Sequence, residues 1–127
     1  RKMEPWIRPM VDVFEMQLTR NQLERCVKIE PLGFMRGRTF NDSFIIGDEM
    51  QNSTPNQMKM LLTRIGENSK MIVMGDLKQS DLINKKNGLG DLVHKLKGNE
   101  FEYVEHVIMN DDDILRHPAV AEILTIY

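Results

Sequence analysis

The sequence predicts an α/β fold with a mostly parallel sheet flanked by helices. Two short apolar runs, 43–47 and 71–74, are typical of strands buried on both faces; the first leads into Asp48-Glu49 and the second into Gly75-Asp76. Segments with apolar residues at helical spacing alternate with these runs, and such alternation is typical of α/β proteins. A chain of 127 residues fits a single domain spanning 1–127.

The first half of the chain is predicted to contain two helices and two strands. Apolar spacing predicts a helix over about 9–24, and a short strand at 27–29 follows it. Two glycines and two arginines make 32–41 a predicted loop. After the strand at 43–47, Thr54 can cap a helix that is expected to stop at Gly66.

The second half is predicted to contain two strands and two helices. A polar loop containing Lys85 follows the strand at 71–74, and an amphipathic helix is expected from about 89 to 96. The apolar residues of 101–108 predict the second strand of this half. The acids at 111–113 are expected to cap a last helix, which Pro118 kinks or restarts.

Composition excludes several classes of protein. Hydrophobic residues are 41% and charged residues 28% of the chain, which is typical of a globular protein. A net charge of −2 gives no whole-chain case for nucleic-acid or membrane binding. Cys26 is the only cysteine, so a reducing cytoplasmic location is expected. The chain opens on arginine rather than methionine and shows no signal peptide, which suggests an excised segment.

The first candidate site is the acidic pair after the run 43–47. Ligands of open α/β sheets bind at the carboxyl ends of the strands, where this run delivers Asp48 and Glu49. Mg²⁺ takes one or two carboxylates and keeps several waters, so one acid can hold the ion or its water shell. The neighbouring acid can orient a water for attack on a phosphate. The alternative is a pair of solvated acids at a strand end.

A second polar cluster follows the run 71–74. Gly75 precedes Asp76, and Gln79 lies three residues further on. If the two strands are neighbours, both clusters face one site, where the amide of Gln79 can both donate and accept hydrogen bonds. The alternative is an ordinary turn with Gly75 at its start.

These segments resemble the PhoH-like family of P-loop ATPases. The resemblance covers essentially the whole chain, and its most specific part runs from Met35 to Gln79. Its motifs are Pro31-Leu32-Gly33-Phe34-Met35-Arg36-Gly37-Arg38-Thr39-Phe40, Phe44-Ile45-Ile46-Gly47-Asp48-Glu49-Met50-Gln51-Asn52-Ser53-Thr54-Pro55, Leu62-Thr63-Arg64-Ile65-Gly66, Gly75-Asp76 with Gln79, Gly88-Leu89, and Arg116-His117-Pro118.

The resemblance implies a partial RecA-like P-loop NTPase core that binds ATP and hydrolyses it with Mg²⁺. Asp48 would be the magnesium residue of the Walker B motif and Glu49 the catalytic carboxylate. Gln51 would belong to the same motif on the nucleotide-binding side. Asp76 and Gln79 would form a helicase-like third motif, in which Gln79 senses the γ-phosphate. The family further implies a link to RNA metabolism.

The sequence departs from the family pattern at three points. Gly47 replaces a bulkier apolar residue, and Met50 replaces alanine. More seriously, no G-x-x-x-x-G-K-[ST] phosphate-binding loop occurs in the chain. The chain alone is therefore expected to be inactive or nearly so. The absent strand before that loop would leave a slot between the strands at 71–74 and 101–108, closed by collapse or by homo-oligomerisation.

Three arginines have open roles. Arg38 or Arg116 could complete a phosphate site or act as an arginine finger, and Arg36 with Arg38 could contact RNA. Surface salt bridges are the simpler explanation for each. Two other functions stay open: an RNA-binding module with a vestigial ATPase, and a module whose nucleotide only holds subunits together. The three histidines have no metal-ligand spacing.

Overall fold

The computed structural model describes residues 4–80 and 86–127, so the predicted loop residue Lys85 lies outside the described residues. Helices flank a two-stranded parallel sheet, which confirms the predicted α/β class and is compatible with a partial P-loop NTPase core. The helices and strands, in chain order, are α1 Glu4–Gln17, α2 Arg20–Cys26, β1 Phe44–Gly47, α3 Pro55–Leu62, β2 Lys70–Val73, α4 Gly88–Leu96 and α5 Pro118–Leu124. No helix in the described ranges is long and apolar enough to cross a membrane.

The chain divides into two compact units. The first contains the chain up to Gly47 together with 59–73, and therefore holds α1, α2 and the sheet. The second contains 48–58 and 74–127, and holds α4, α5 and the acidic residues that follow β1 and β2.

The single helix predicted over 9–24 is wrong, because the chain forms two helices that meet at Thr19. The hydroxyl oxygen of Thr19 accepts a hydrogen bond from the Gln22 backbone N–H at 3.3 Å, and the Gln22 side chain accepts one from the Thr19 N–H at 2.9 Å. This reciprocal capping box starts α2. The strand predicted at 27–29 is also wrong: Val27 caps the end of α2, and no strand forms there.

β1 and β2 are parallel, as the sequence predicts, and they are neighbours, which the sequence left open; Ile46 lies opposite Ile72 in the register. Their predicted burial on both faces is wrong. Phe44, Ile46 and Ile72 share one face and are 61%, 41% and 42% exposed. Parallel strands are normally covered by helices on both sides. This face of the sheet is therefore largely exposed.

The segment around Gly66 closes the first unit beside the sheet. Phe40 forms a parallel bridge with Ile65, and the Gly66 N–H donates to the Phe40 carbonyl at 2.9 Å. A Cβ at Gly66 would lie 2.8 Å from that carbonyl oxygen, so the close backbone approach requires glycine. The helix α3 ends at Leu62, before the predicted stop at Gly66.

In the second unit, α4 packs on the turn Met50–Asn52. The N–H of Gly88 donates to the Ser53 carbonyl at 2.6 Å, and the Ser53 hydroxyl donates to the Met50 carbonyl at 2.6 Å. Ser53 and Met50 are both buried, and Met58 and Leu89 complete the small core of this unit. The start of α4 thereby holds the turn that follows the acidic pair.

The strand predicted at 101–108 is wrong. A strand needs hydrogen bonds to a neighbouring strand, and no part of the described chain pairs with this segment, in which Tyr103 is 90% exposed. The acids of Asp111–Asp113 form their own turn rather than capping a helix. Pro118 does restart the chain as a helix, and the Nδ1 of His117 caps it by accepting from the Ala119 N–H at 3.1 Å.

Candidate functional site

The acidic pair lies directly after β1, in the second unit. A carboxylate oxygen of Asp48 accepts a hydrogen bond from the Glu49 backbone N–H at 2.9 Å. Glu49 has φ 52° and ψ 37°, the left-handed region that a side chain with a Cβ adopts at a cost of about 1–2 kcal/mol. Such backbone strain concentrates at functional sites. The turn Met50–Asn52 starts immediately after it, so Glu49 is the corner where the chain leaves the sheet.

Gln51 is the most deeply buried large side chain among the described residues, at 1% exposure. Its amide nitrogen donates to the Oε2 of Glu49 at 2.5 Å and lies 3.5 Å from the Gln79 carbonyl oxygen. Its amide oxygen accepts from the Asp76 backbone N–H at 3.1 Å. One buried side chain therefore joins the acidic pair to the segment that follows β2.

The segment after β2 is organised by Asp76. One of its carboxylate oxygens accepts from the Lys78 backbone N–H and the other from the Gln79 side-chain amide, both at 2.9 Å. Asp76 thus caps the turn Leu77–Gln79 and fixes the Gln79 side chain. A primary amide has two N–H donors and an acceptor oxygen, so this bond leaves Gln79 with one N–H and its oxygen for a ligand.

Two further groups hold the segments together. The Met50 N–H donates to the Met74 carbonyl at 3.0 Å, and the Ser80 hydroxyl donates to the Gln51 carbonyl at 3.1 Å. Gly75 makes the closest approach. A Cβ at this position would lie 2.5 Å from the Gln51 Oε1 and 3.1 Å from its backbone nitrogen. The φ of Gly75 is not left-handed, so glycine is needed here for space rather than for backbone freedom.

The donor set fits a magnesium ion that is bound mainly by water and phosphate. One oxygen of Asp48 bonds to the Glu49 N–H, and its other oxygen has no protein partner among the described residues. Those residues contain no group of three or more histidine, cysteine or acidic side chains that could hold a metal. Mg²⁺ commonly takes only one or two carboxylates and completes its shell with water and substrate phosphates. Asp48 is chemically suited to that role.

The arginines have different surroundings. Arg38, in the first unit, forms an ion pair with Glu30 at 2.9 Å, and its guanidinium lies 4.9 Å from the centre of the Phe40 ring. Arg116, in the second unit, is exposed and makes no hydrogen bond or ion pair with any described residue. Arg36 is also exposed. Their roles in phosphate or RNA binding stay predictions.

A second charged cluster lies on α4. The carboxylate of Asp91 forms ion pairs at 2.8 Å with both Lys86 and Lys95, while its own side chain is 9% exposed. The hydrogen bond from Lys86, followed by that from Lys95, holds the pKa of Asp91 below its ordinary value. Lys95 lies one helical turn after Asp91, a favourable spacing for such a pair. This cluster fastens the loop end at Lys86 to α4.

Sequence reasoning found the acids but missed the way in which they are connected. Through the resemblance, Gln51 was predicted on the nucleotide-binding side, a role that stays untested. In the structure its amide contacts protein groups at both ends. Gly75 was predicted only as the start of a turn. Its position at the end of the predicted strand 71–74 was the available signal, since a glycine in or beside a strand often marks close backbone approach.

Two parallel strands that lead into an acidic pair and a Gly-Asp-x-x-Gln turn are compatible with the nucleotide-binding core of P-loop NTPases. Comparison with known proteins identifies one family within this class. The profile of the family described as PhoH-like protein matches residues 1–127. The chain therefore belongs to the PhoH-like protein family.

Individual relatives agree with this assignment. The chain is 42% identical over 132 residues to a PhoH-like protein of Bacillus subtilis, with 99% of this chain and 41% of the relative covered. It is 42% identical over 133 residues to a PhoH-like protein of Synechocystis, covering 100% and 40%. Protein PhoH of Escherichia coli K12 is 38% identical over 134 residues, covering 99% and 37%. The chain thus spans about two-fifths of the length of these relatives.

Proposed function

We propose that this chain supplies the water-activating half of a Mg²⁺-dependent ATPase site. The observation that supports it most is the Gln51 amide, which joins the Glu49 carboxylate to the Asp76–Gln79 segment. In-line phosphoryl transfer to water requires a carboxylate that orients the water and a polar group that recognises the γ-phosphate. Both segments lie within the second unit, and the Gln51 amide contacts each of them.

In this proposal each residue has one task. Glu49 accepts a hydrogen bond from the attacking water and takes its proton as the water oxygen bonds to the γ-phosphorus. The bond to the bridging oxygen breaks, ADP leaves, and the proton passes on to the phosphate released. Gln79 donates its remaining N–H to a γ-phosphate oxygen. Asp48 would hold a magnesium ion, which when bound neutralises phosphate charge.

The phosphate-binding loop must come from elsewhere, because the 127 residues contain no G-x-x-x-x-G-K-[ST]. Arg38 and Arg116 are candidates for contacts with phosphate, of which Arg116 is the one without a protein partner among the described residues. We therefore expect the 127-residue chain alone to show little turnover. Its relatives are more than twice as long, which leaves room for such a loop in them.

The test is Mg²⁺-dependent ATP hydrolysis by this chain and by the full-length natural protein. Replacing Glu49 by Gln should lower turnover by about 10²–10⁴-fold, the usual contribution of a general base. Glu105→Gln is the matched control, because Glu105 is exposed and has no ion pair within the described residues. Turnover unchanged by Glu49→Gln would show that this carboxylate does not activate the water.

A second function, binding of single-stranded RNA, is favoured by the loop that precedes β1. Phe34 is 75% exposed, and Arg36 beside it is exposed as well, while the buried Met35 anchors the loop. An exposed aromatic ring can stack on a base, and a neighbouring arginine can contact phosphate. Arg38 is less available, since it is paired with Glu30.

The RNA test compares charge-matched variants. Phe34→Ala and Arg36→Ala should each weaken binding of a labelled single-stranded RNA, and the Arg36→Ala variant should show a reduced salt dependence. Arg25→Ala removes the same charge from the end of α2 and serves as the control. Equal binding by the Arg36 and Arg25 variants would exclude this loop as an RNA site.

A further inference from the structure

The buried amide of Gln51 donates at one end and accepts at the other, which few side chains can do. Its nitrogen faces the Glu49 carboxylate, which only accepts, and its oxygen faces the Asp76 backbone N–H, which only donates. A group that donates at one end and accepts at the other is required. Leucine would satisfy neither end, and glutamate would satisfy only the Asp76 end. The residue type is therefore set by the two groups that it joins.

Protein groups surround the Gln51 side chain. It is 1% exposed, and both ends of its amide contact protein groups. Its nitrogen holds the carboxylate of Glu49, whose backbone is already confined to the left-handed region at φ 52°. Glu49 is thus restrained at its backbone and at its carboxylate, which leaves its Oε1 without a protein partner among the described residues.

The other end of the amide reaches the proposed γ-phosphate sensor. The Gln51 amide oxygen accepts from the Asp76 N–H, and the Gln51 amide nitrogen lies 3.5 Å from the Gln79 carbonyl oxygen. These two groups lie at the two ends of the turn Leu77–Gln79. Gly75 holds this turn against Gln51 by close contact. A movement of the turn therefore changes the groups that orient the amide, and the amide in turn orients Glu49.

We propose that Gln51 is a positioning residue that transmits the position of the Asp76–Gln79 turn to the Glu49 carboxylate. This inference rests on the proposed ATPase function. A γ-phosphate bound at Gln79 fixes the turn, the turn fixes the amide, and the amide holds Glu49 in the orientation that activates water. After phosphate leaves, the same connection releases Glu49. In this proposal Gln51 acts through Glu49 and is therefore a positioning residue rather than a catalytic one.

The test is steady-state ATP hydrolysis by the full-length natural protein carrying Gln51→Leu. We expect kcat to fall about 10–100-fold while KM for ATP changes less than about twofold, because the lost interaction orients the base and does not bind nucleotide. Gln51→Glu keeps the acceptor for Asp76 but loses the donor for Glu49, so it should lose kcat similarly. Ser53→Ala removes another buried polar group near the same turn and should keep kcat.

A double-mutant cycle separates transmission from simple support. If Gln51 transmits the state of the turn, Gln79→Ala should cost much less kcat in the Gln51→Leu background than in the wild type. Additive losses would overturn the proposal. Should Gln51→Leu fail to fold, the same cycle is run with Gln51→Glu.

The two proposals fail in different ways. If the Gln51 variants keep the wild-type kcat while Glu49→Gln loses turnover, the positioning role is overturned and the ATPase assignment stays intact. Normal turnover by Glu49→Gln overturns the ATPase assignment and the positioning role with it. Hydrogen exchange of the Asp76 amide gives a readout besides activity: Gln51→Leu should make it exchange faster, whereas unchanged exchange would show that the amide does not hold this segment.

Discussion

Replacement of Gly75 by alanine should disturb the site more than its small size suggests. The added Cβ would lie 2.5 Å from the Gln51 Oε1, 2.7 Å from a Leu89 methyl carbon and 3.1 Å from the Gln51 backbone nitrogen. Gln51 is buried and hydrogen-bonded at both ends of its amide, so it cannot turn away freely. The methyl group must therefore displace the backbone at Gly75 from the turn that follows Glu49.

The expected cost follows from two opposing terms. Overpacking of a buried contact costs about 1–3 kcal/mol. Alanine also restricts the unfolded chain, which favours folding by about 0.4–1 kcal/mol. Gly33→Ala restricts the unfolded chain in the same way but causes no overpacking, because a Cβ at Gly33 meets no atom within 4 Å. The free energies of unfolding of the Gly75 and Gly33 variants should therefore differ by about 1–3 kcal/mol.

Urea denaturation of the purified chain, followed by circular dichroism, measures this difference. Hydrogen exchange at the Asp76 amide should also become faster in Gly75→Ala, because its acceptor on Gln51 is displaced. Equal unfolding free energies for the two alanine variants, with unchanged exchange at Asp76, would refute the close contact between Gly75 and Gln51.

Three further predictions concern strain, packing and pH. Glu49→Gly should be more stable than Glu49→Ala by about 0.5–1 kcal/mol, because glycine adopts φ 52° without steric cost; equal urea midpoints would argue against strain. Gly88→Ala should be less stable than Gly90→Ala by about 1–3 kcal/mol in thermal melts. A Cβ at Gly88 would lie 2.5 Å from the Thr54 carbonyl oxygen, whereas the atom nearest to a Cβ at Gly90 is 3.2 Å away. Equal melting temperatures for the two variants would contradict this. The lysine pairs lower the pKa of Asp91, so its contribution to stability is present above the ordinary aspartate pKa of about 3.9 and disappears as pH falls through the lower folded value. Asp91→Asn should therefore flatten the loss of stability below about pH 4, measured by urea denaturation across that range, and a wild-type slope would disprove the role of these pairs.

The elements that the sequence predicted correctly depend on local patterns. β1 and β2 were predicted from short apolar runs with acids behind them, and α4 from apolar residues at helical spacing. The restart at Pro118 follows from the fixed φ of proline. The break at Thr19 was also readable, because threonine followed three residues later by glutamine is a capping box. The prediction of one helix over 9–24 was wrong because it followed the apolar spacing and not this capping box.

The remaining errors concern residues whose state depends on distant partners. The segment 101–108 has a strand-like composition, but a strand requires a neighbour, and composition cannot supply one. The wrong prediction that Phe44 and Ile46 are buried also comes from a missing neighbour, because the burial of a strand depends on which helices cover the sheet.

The sequence by itself determined the chemistry of the candidate site: two acids at 48 and 49, and a Gly-Asp-x-x-Gln turn from Gly75 to Gln79. These are side-chain identities that directly follow predictable strands. Only the tertiary structure decided that the two segments meet through Gln51, and that Gly75 is needed for space. Contacts between residues about 25 positions apart depend on the register of two strands and on the close packing between them, which no local pattern encodes.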